Sequence, residues 1–457
     1  MFKQTLDYDV VVVGGGPSGS MAAIAAARSG AKTLLVESQG YLGGMLTNAG
    51  TGPMMSFHAG ETQVVKGLPE EMVVRMVKEG FSPGHMKDVV GFCASVTPFD
   101  AEGLKIVLET LAIESGVRLL YHSVFTDCSV SGKKIDSIRL FTKGGYLNVT
   151  ARVFIDASAD ADLAFKSGIP VSYGRESDSL AQPMTLNAKV YNVDREKMKN
   201  YLRENPQETY AKNPEVVDWS CRCGISGAYT LIAKGKLSGD LTYNREAVLC
   251  FETNNLGEFI INMTRVAKLS SLNAFDLTEA EIIGRQQVRE TIAFLRKYIP
   301  GFANCILTST GPNIGVRESN KINGVYQLQA NDLVNNVMFN DAICMGGYPI
   351  DIHSPDGKSE TKHQFLKAGS WYSVPYRSLV TNEIENLIVA GRCISTDHAA
   401  QAATRLSPIV MAIGHAAGVG AALALNNRND ARTINSDQIR DQLLQQGAFL
   451  EPYNQNE

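Results

Sequence analysis

The chain has no cysteine framework, no basic block and no unbroken apolar span, and each absence closes off a class of function. Its eight cysteines (Cys93, Cys128, Cys221, Cys223, Cys250, Cys305, Cys344 and Cys393) contain no C-x-x-C. That spacing signals neither a disulfide scaffold, nor a thioredoxin-type pair, nor a zinc site. No ferredoxin-like cysteine run exists to hold an iron–sulfur cluster. Free, mostly buried thiols are expected. A net charge of −4 with scattered lysines and arginines argues against nucleic acid or an anionic membrane as partner. The longest apolar stretch, 409–425, is broken by Gly414, His415, Gly418 and Gly420, so no transmembrane segment is expected. Strand character starts within ten residues of Met1. That leaves no room for a secretory signal, and a cytoplasmic protein is expected.

What is present begins at Tyr8. A β-branched run, Val10–Val13, reads as a buried strand. Gly14, Gly16 and Gly19 fit G-x-G-x-x-G, and a small-residue run, Ser20 to Ala27, suits a helix packed close to a sheet. Gly30 stops that helix, and the next strand ends in Glu37. This is a complete βαβ dinucleotide unit. Gly14 permits the tight turn, Gly16 has no side chain to hold a pyrophosphate away, and Gly19 lets helix and strand approach. The helix start, at Pro17 and Ser18, presents free N–H groups and partial positive charge to phosphates. Glu37 can accept both ribose hydroxyls of an adenosine, and its charge repels a 2′-phosphate. Beyond Ser38, the pair Gly43-Gly44 before Met45 suggests backbone laid against a cofactor. A later strand, Val153 to Asp156, ends in Ala157-Ser158-Ala159-Asp160, small residues and acids suited to ligand contact.

With 457 residues, two domains are expected. Residues 1–58, 97–173 and 375–430 read as one discontinuous nucleotide domain. Residues 59–96, with a helical period over 68–78, read as an excursion toward a second domain. That second domain, 174–374, is expected to be an inserted α+β cap, with its clearest helix at 277–298 before Pro300-Gly301. Residues 212–236 have little pattern. A strand at 386–392 leads to a helix with Ser407 as N-cap and Pro408 as first residue. The tail, 431–457, reads as polar and peripheral.

These residues, together with Gln182-Pro183-Met184-Thr185, Gly315-Val316-Arg317-Glu318-Ser319, Pro349-Ile350-Asp351-Ile352-His353 and the stretch 391–418, give the chain its likeness. Over nearly its whole length it resembles the FAD-dependent oxidoreductases related to glutathione reductase. In particular it resembles a bacterial group known simply as FAD-dependent oxidoreductases. The resemblance implies an α/β fold: a three-layer, Rossmann-like FAD domain with an inserted cap. It implies that Glu37 binds the adenosine ribose and the Gly14 loop the pyrophosphate. Gly391 and Arg392 would meet the ribityl chain and flavin, and the helix of Pro408 and Ile409 would point at the flavin's pyrimidine side. One departure is Ser158-Ala159, where the family has Thr-Gly. No second G-x-G-x-x-G has strand–helix context, so a separate NAD(P)H domain is not expected. No C-x-x-x-x-C follows the first glycine loop, which excludes disulfide-reductase chemistry.

A substrate that yields a hydride also needs a base. His398, after the Gly391 strand, is the first candidate; the alternative is a structural histidine. Arg405 could clamp a carboxylate or polarise a carbonyl, or else pair with a local acid such as Asp397. Arg317, Tyr348, His353 and Tyr372 would come from the roof, in chemical or structural roles. Asp351 and His353 alternate on one face but have no third ligand, and no metal is expected. His58 is a further candidate for flavin contact or for covalent attachment to the flavin. The expected activity is hydride exchange between flavin and a small hydroxylated or carboxylated substrate. An oxygen-using monooxygenase and a non-enzymatic electron carrier are the alternatives. An electron donor or acceptor would complete the cycle, in a monomer or a homo-oligomer.

Overall fold

Four consecutive valines, apolar on both faces, suit a central parallel strand covered by helices on either side. Val10–Val13 lie in β1 (Thr5–Val13) and are almost fully buried in a computed structural model that describes residues 5–358 and 361–452. α1 (Pro17–Arg28) leads to β2 (Thr33–Val36), which pairs parallel to β1. α2 (Leu68–Lys78) and α3 (Ala101–Glu114) come next, the latter capped by Asp100, which accepts from the Glu102 N–H. β3 (Arg118–Leu120), β4 (Val124–Ser131), β5 (Lys134–Thr142) and β6 (Gly145–Asp156) complete this part of a sheet ordered β3-β2-β1-β6-β5-β4. The long β6 runs parallel to β1 along one edge, while its first half pairs antiparallel with β5 along the other.

The second sheet has its own hydrophobic core. It comprises β7 (Ala188–Tyr191), β8 (Gly224–Gly227), β9 (Val248–Glu252), β10 (Phe259–Ile261) and β11 (Ile306–Thr310), antiparallel in the order β8-β9-β10-β7-β11. α4 (Ala274–Tyr298) belongs to the same core. Asn273 caps it, and its buried residues Ala280, Gly284, Gln287, Val288, Thr291 and Leu295 recur at helical spacing.

The chain then returns. β12 (Ala342–Gly346) pairs with β13 (Tyr372–Pro375), and β14 (Leu387–Val389) adds to β6 as the seventh strand of the first sheet. α5 (His398–Thr404) precedes α6 (Ser407–Asn426), and α7 (Ser436–Gln445) ends the series. α6 is long and apolar enough to span a membrane, but it is a buried core helix. Its glycines bring it against α1. A Cβ at Gly414 would stand 2.0 Å from the Ser18 carbonyl oxygen, and one at Gly418 would stand 2.2 Å from that of Ala22.

Several expectations are corrected. α2 does not leave the nucleotide domain; Met72, Val73 and Met76 join the core shared with α1, α3 and α6. The second core extends only from Met184 to Val316. Much of the chain between 317 and 374 instead packs on the first core, through Leu328, Leu333, Ile343, Tyr372 and Val374. Residues 212–236 are not patternless in space: they contain β8 and most of a short helix, Tyr229–Leu237. The tail is not peripheral, because Ala431, Ile439, Leu443 and Leu450 are buried in the first core; residues 453–457 lie outside the described residues.

Candidate active site

The turn after β1 is built for close approach. Gly14 has φ +101°, and a Cβ there would lie 2.4 Å from the Ala157 carbonyl oxygen. Gly19 has no room either, since its Cβ would stand 1.8 Å from the Gly14 carbonyl oxygen. Gly16 differs: its Cβ would meet only the Gly44 Cα, at 3.9 Å. Gly44 belongs to a second turn docked on the first, where the Gly43 N–H donates to the Gly15 carbonyl at 2.9 Å. Glu37 braces the turn through Oε2, which accepts the Gly15 N–H at 2.7 Å, while Oε1 accepts from Ser38 Oγ and the Gln39 N–H.

These loops line one end of a cavity of about 1020 Å³, at the upper end of the range for small-molecule sites. Gly14, Gly16, Pro17, Ser18, Glu37, Ser38, Gly44, Met45, Ala157, Asp160, Gly391 and Arg392 all border it. Gly19, Gly43, Pro408 and Ile409 do not; they support the wall from behind. At α6 the wall is made by Leu406, Ser407 and Val410. Leu406 is the N-cap, so the helix starts one residue before the expected Pro408, and Ser407 provides no side-chain cap.

A dinucleotide fits this end. α1 begins with no side-chain cap and no acid in its first turn, so its N–H groups and partial positive charge face the cavity. Ser18 Oγ and Arg392 Nε are buried without a hydrogen-bond partner among the described residues, as donors awaiting phosphate or ligand oxygens would be. Arg392 Nη2 is already tied to Asp160 at 2.7 Å. The departure at Ala159 is strained: it takes φ +71°, a region where a Cβ costs about 1–2 kcal/mol. Ala159→Gly is therefore expected to stabilise the protein by up to about 1 kcal/mol, glycine's extra unfolded-state entropy offsetting part of the relief. Chemical denaturation measures it, and a clear loss of stability would contradict the strain.

The other end is walled by the cap and the returning chain, and three guanidiniums reach it: Arg245, Arg317 and Arg405. Arg317 Nη1 donates to the Pro183 carbonyl at 2.7 Å and to Thr185 Oγ1. Burial, reinforced by Arg405, pushes the Arg317 guanidinium down to about 9. Arg405 is lowered by burial, and its Nε has no acceptor among the described residues. The alternative pairing with Asp397 is not formed, because that carboxylate caps α5 through the Ala400 N–H and accepts the Ala330 N–H.

Asp351 and His353 share a face as their alternation suggests, with His353 Nε2 3.3 Å from Asp351 Oδ2. His363 faces the same carboxylate at 3.2 Å from across a short hairpin, a pairing with no signal in the sequence. Burial works against the Asp351 charge, but the two rings and Arg405 outweigh it and hold the carboxyl well below its ordinary range. Burial pushes His353 down to about 3, with Arg317 and Arg405 adding to the effect and Asp351 opposing it, so the ring is neutral at neutral pH. Tyr348 also borders the cavity, and burial raises its phenol well above the usual range. Among the described residues, no group of three or more His, Cys, Asp or Glu is arranged to hold a metal ion.

Two catalytic candidates fall elsewhere. Tyr372 is fully buried in β13, off the cavity wall, with its ring against Gly346. His398 opens α5 and does not line the cavity; its Nδ1 lies 2.8–2.9 Å from Glu318, whose Oε1 also accepts from Lys321 Nζ at 2.7 Å. Burial raises the Glu318 carboxyl, but His398 and Lys321 together bring it below its ordinary value. His398→Ala should therefore cost about 1–3 kcal/mol of stability, from an under-bonded buried carboxylate. Turnover per bound flavin should change little; a fall of about two or more orders of magnitude in flavin reduction would restore His398 as the base. His58 is likewise off the wall, with Nδ1 2.9 Å from Ser95 Oγ.

Comparison with known proteins agrees with this geometry. The profile of the family described as FAD dependent oxidoreductase matches residues 9–443. The dihydrolipoyl dehydrogenase of Trypanosoma brucei brucei is 61% identical over 46 residues, 10% of each chain. The digeranylgeranylglycerophospholipid reductase of Methanocaldococcus jannaschii is 37% identical over 122 residues, 23% of this chain and 30% of that one. The chain thus spans only a small part of the length of these relatives. The solved structure of the flavin-dependent brominase Bmp2 superimposes with a TM-score of 0.51 at 13% identity, covering 95% of this chain and 83% of that one, a likeness of fold. The chain belongs to the FAD-dependent oxidoreductase family, an enzyme family, and FAD is its cofactor.

Proposed function

We propose that the enzyme oxidises or reduces a small substrate bearing a carboxylate, by hydride exchange with FAD. The observation that carries this reading is Arg405: an arginine on the cavity wall whose buried Nε has no acceptor among the described residues. A buried donor without an acceptor is costly, and a ligand carboxylate relieves it. FAD, when bound, supplies the hydride acceptor or donor. Arg405 and Arg317 hold the substrate carboxylate and so fix which carbon faces the cofactor. Asp351 accepts the Nε2–H of His353 and so fixes that neutral ring on the cavity wall as a hydrogen-bond acceptor for a substrate hydroxyl. Tyr348, kept neutral, serves as a hydrogen-bond donor to substrate oxygen.

The test is anaerobic mixing of the FAD-loaded protein with hydroxy acids and with uncharged alcohols of the same carbon count, following flavin absorbance. Bleaching by the acids, and not by the alcohols, is expected. Equal or faster bleaching by the uncharged alcohols, or turnover only with dioxygen consumption, would overturn the reading, the latter in favour of a monooxygenase.

A further inference from the structure

The positive charge at the cap end of the cavity exceeds what one carboxylate would balance. Arg245, Arg317 and Arg405 border it, each from a different segment of the chain. The acids around them are mostly committed. Glu246 is held by Arg265 through two bonds of 2.9 and 3.1 Å. Glu281 accepts the Ile314 N–H and pairs with Arg285 at 3.0 Å. Glu318, near Arg405, is taken by Lys321 and His398. Asp160 is taken by Arg392, at the other end.

Asp351 remains, shared between two imidazoles, to face three guanidiniums. Arg245 donates to carbonyls, those of Ala247 at 3.0 Å and Asn262 at 3.2 Å. Arg317 donates to a carbonyl and a hydroxyl, and Arg405 Nε has no acceptor among the described residues. The site therefore carries an excess of about two positive charges in a place where burial makes uncompensated charge unfavourable. Burial and Arg265 lower the Arg245 guanidinium to about 10, in keeping with a cation short of counter-charge. Beside these groups lies an aromatic wall, in which the Phe92 ring packs 5.7 Å from Tyr210, 5.7 Å from Tyr348 and 4.9 Å from His363.

We infer that the substrate is an organic dianion: an apolar carbon frame against the Phe92 wall, with its two negative charges shared among Arg245, Arg317 and Arg405. This inference rests on the proposed reading of Arg405 as a carboxylate clamp. Charge-assisted hydrogen bonds are the strong ones, and each added charge corresponds to about a tenfold or larger change in affinity.

The test is titration of the FAD-loaded protein with succinate and butanoate, with glutarate and pentanoate, and with butyl phosphate, following the flavin difference spectrum. The dicarboxylate is expected to bind at least about tenfold tighter than the monocarboxylate of equal carbon count. A neutral or singly charged site would show the reverse order, because the monoacid is the more apolar. Tight butyl phosphate with weak dicarboxylates would support a dianion whose charges sit on one group. Arg245→Met is expected to erase the preference for the second charge while the monocarboxylate still binds. Should that variant misfold, the wild-type comparison decides by itself. Equal or weaker binding of both dianions, with monocarboxylate binding that is lost in Arg405→Met, would overturn the dianion and keep the clamp. No spectral response to any of these acids would overturn both.

Discussion

Gly16→Val is expected to yield a folded, colourless protein. Gly16 has φ −66° and ψ −175°, extended backbone that valine adopts readily, and a Cβ there meets nothing nearer than the Gly44 Cα at 3.9 Å. The protein alone has room for a β-carbon there. Exchanging a glycine N-cap for valine costs about 1 kcal/mol, which a chain of this size tolerates. The space that valine occupies is the approach to the α1 N-terminus beside Ser18 Oγ, where a pyrophosphate must come close to backbone N–H groups. FAD content after denaturing release should fall from stoichiometric to near zero, while circular dichroism stays that of wild-type apoprotein. Gly14→Val makes the contrast: with φ +101° and a Cβ 2.4 Å from the Ala157 carbonyl oxygen, it should damage the fold itself. A Gly16→Val protein that purifies yellow would remove this loop from the phosphate site.

Arg405→Met is expected to keep the FAD and lose the substrate. Removing one partner of a buried charge pair costs about 2–5 kcal/mol of binding, about thirtyfold to several thousandfold in affinity for a carboxylate. The free protein should change little in stability, because Arg405 Nε has no acceptor to lose among the described residues, which offsets the lost attraction to Asp351. That combination separates a ligand clamp from a structural arginine, whose loss would lower stability and leave affinity alone. Arg405→Lys should recover only part of the binding, since an ammonium lacks the planar fork that grips a carboxylate. Unchanged substrate affinity in Arg405→Met would remove Arg405 from the site.

Where chain order and tertiary structure disagree, the disagreements have a common origin. His398 follows the Gly391 strand closely, and proximity in sequence suggests proximity to the flavin. Residues 398–404 form a helix, however, and its first residue turns to Glu318, a partner 80 positions away. Tyr372 reads as a roof residue, but its strand pairs with β12 and packs into the first core, where its hydroxyl has no partner among the described residues. The tail looks peripheral because its polar residues outnumber its apolar ones. The few apolar ones, Ile439 and Leu443 among them, are spaced to share one helix face and are buried. Arg245 and His363 carry no local signal: Arg245 is anchored by the Ala247 and Asn262 carbonyls, and His363 reaches the cavity through a short hairpin.

The nucleotide end of the enzyme is written in local chain pattern. Its features are short in range: a β-branched run, glycines at fixed offsets, a small-residue helix and an acid at the next strand's end, all between Tyr8 and Glu37. Sterics and backbone hydrogen bonding act over those same few residues, so the pattern and the structure coincide. The close packing of α1 on α6 is also foreshadowed, by the glycines and alanines at helical spacing in both. The chemistry at the other end arises from long-range contacts. Arg245, Arg317, Asp351, His353, His363 and Arg405 come from distant parts of the chain, and burial, charge and distance between them exist only once two cores have closed around one cavity. Electrostatics there depends on which acids are already paired and which cations are not, and no local pattern of residues records that.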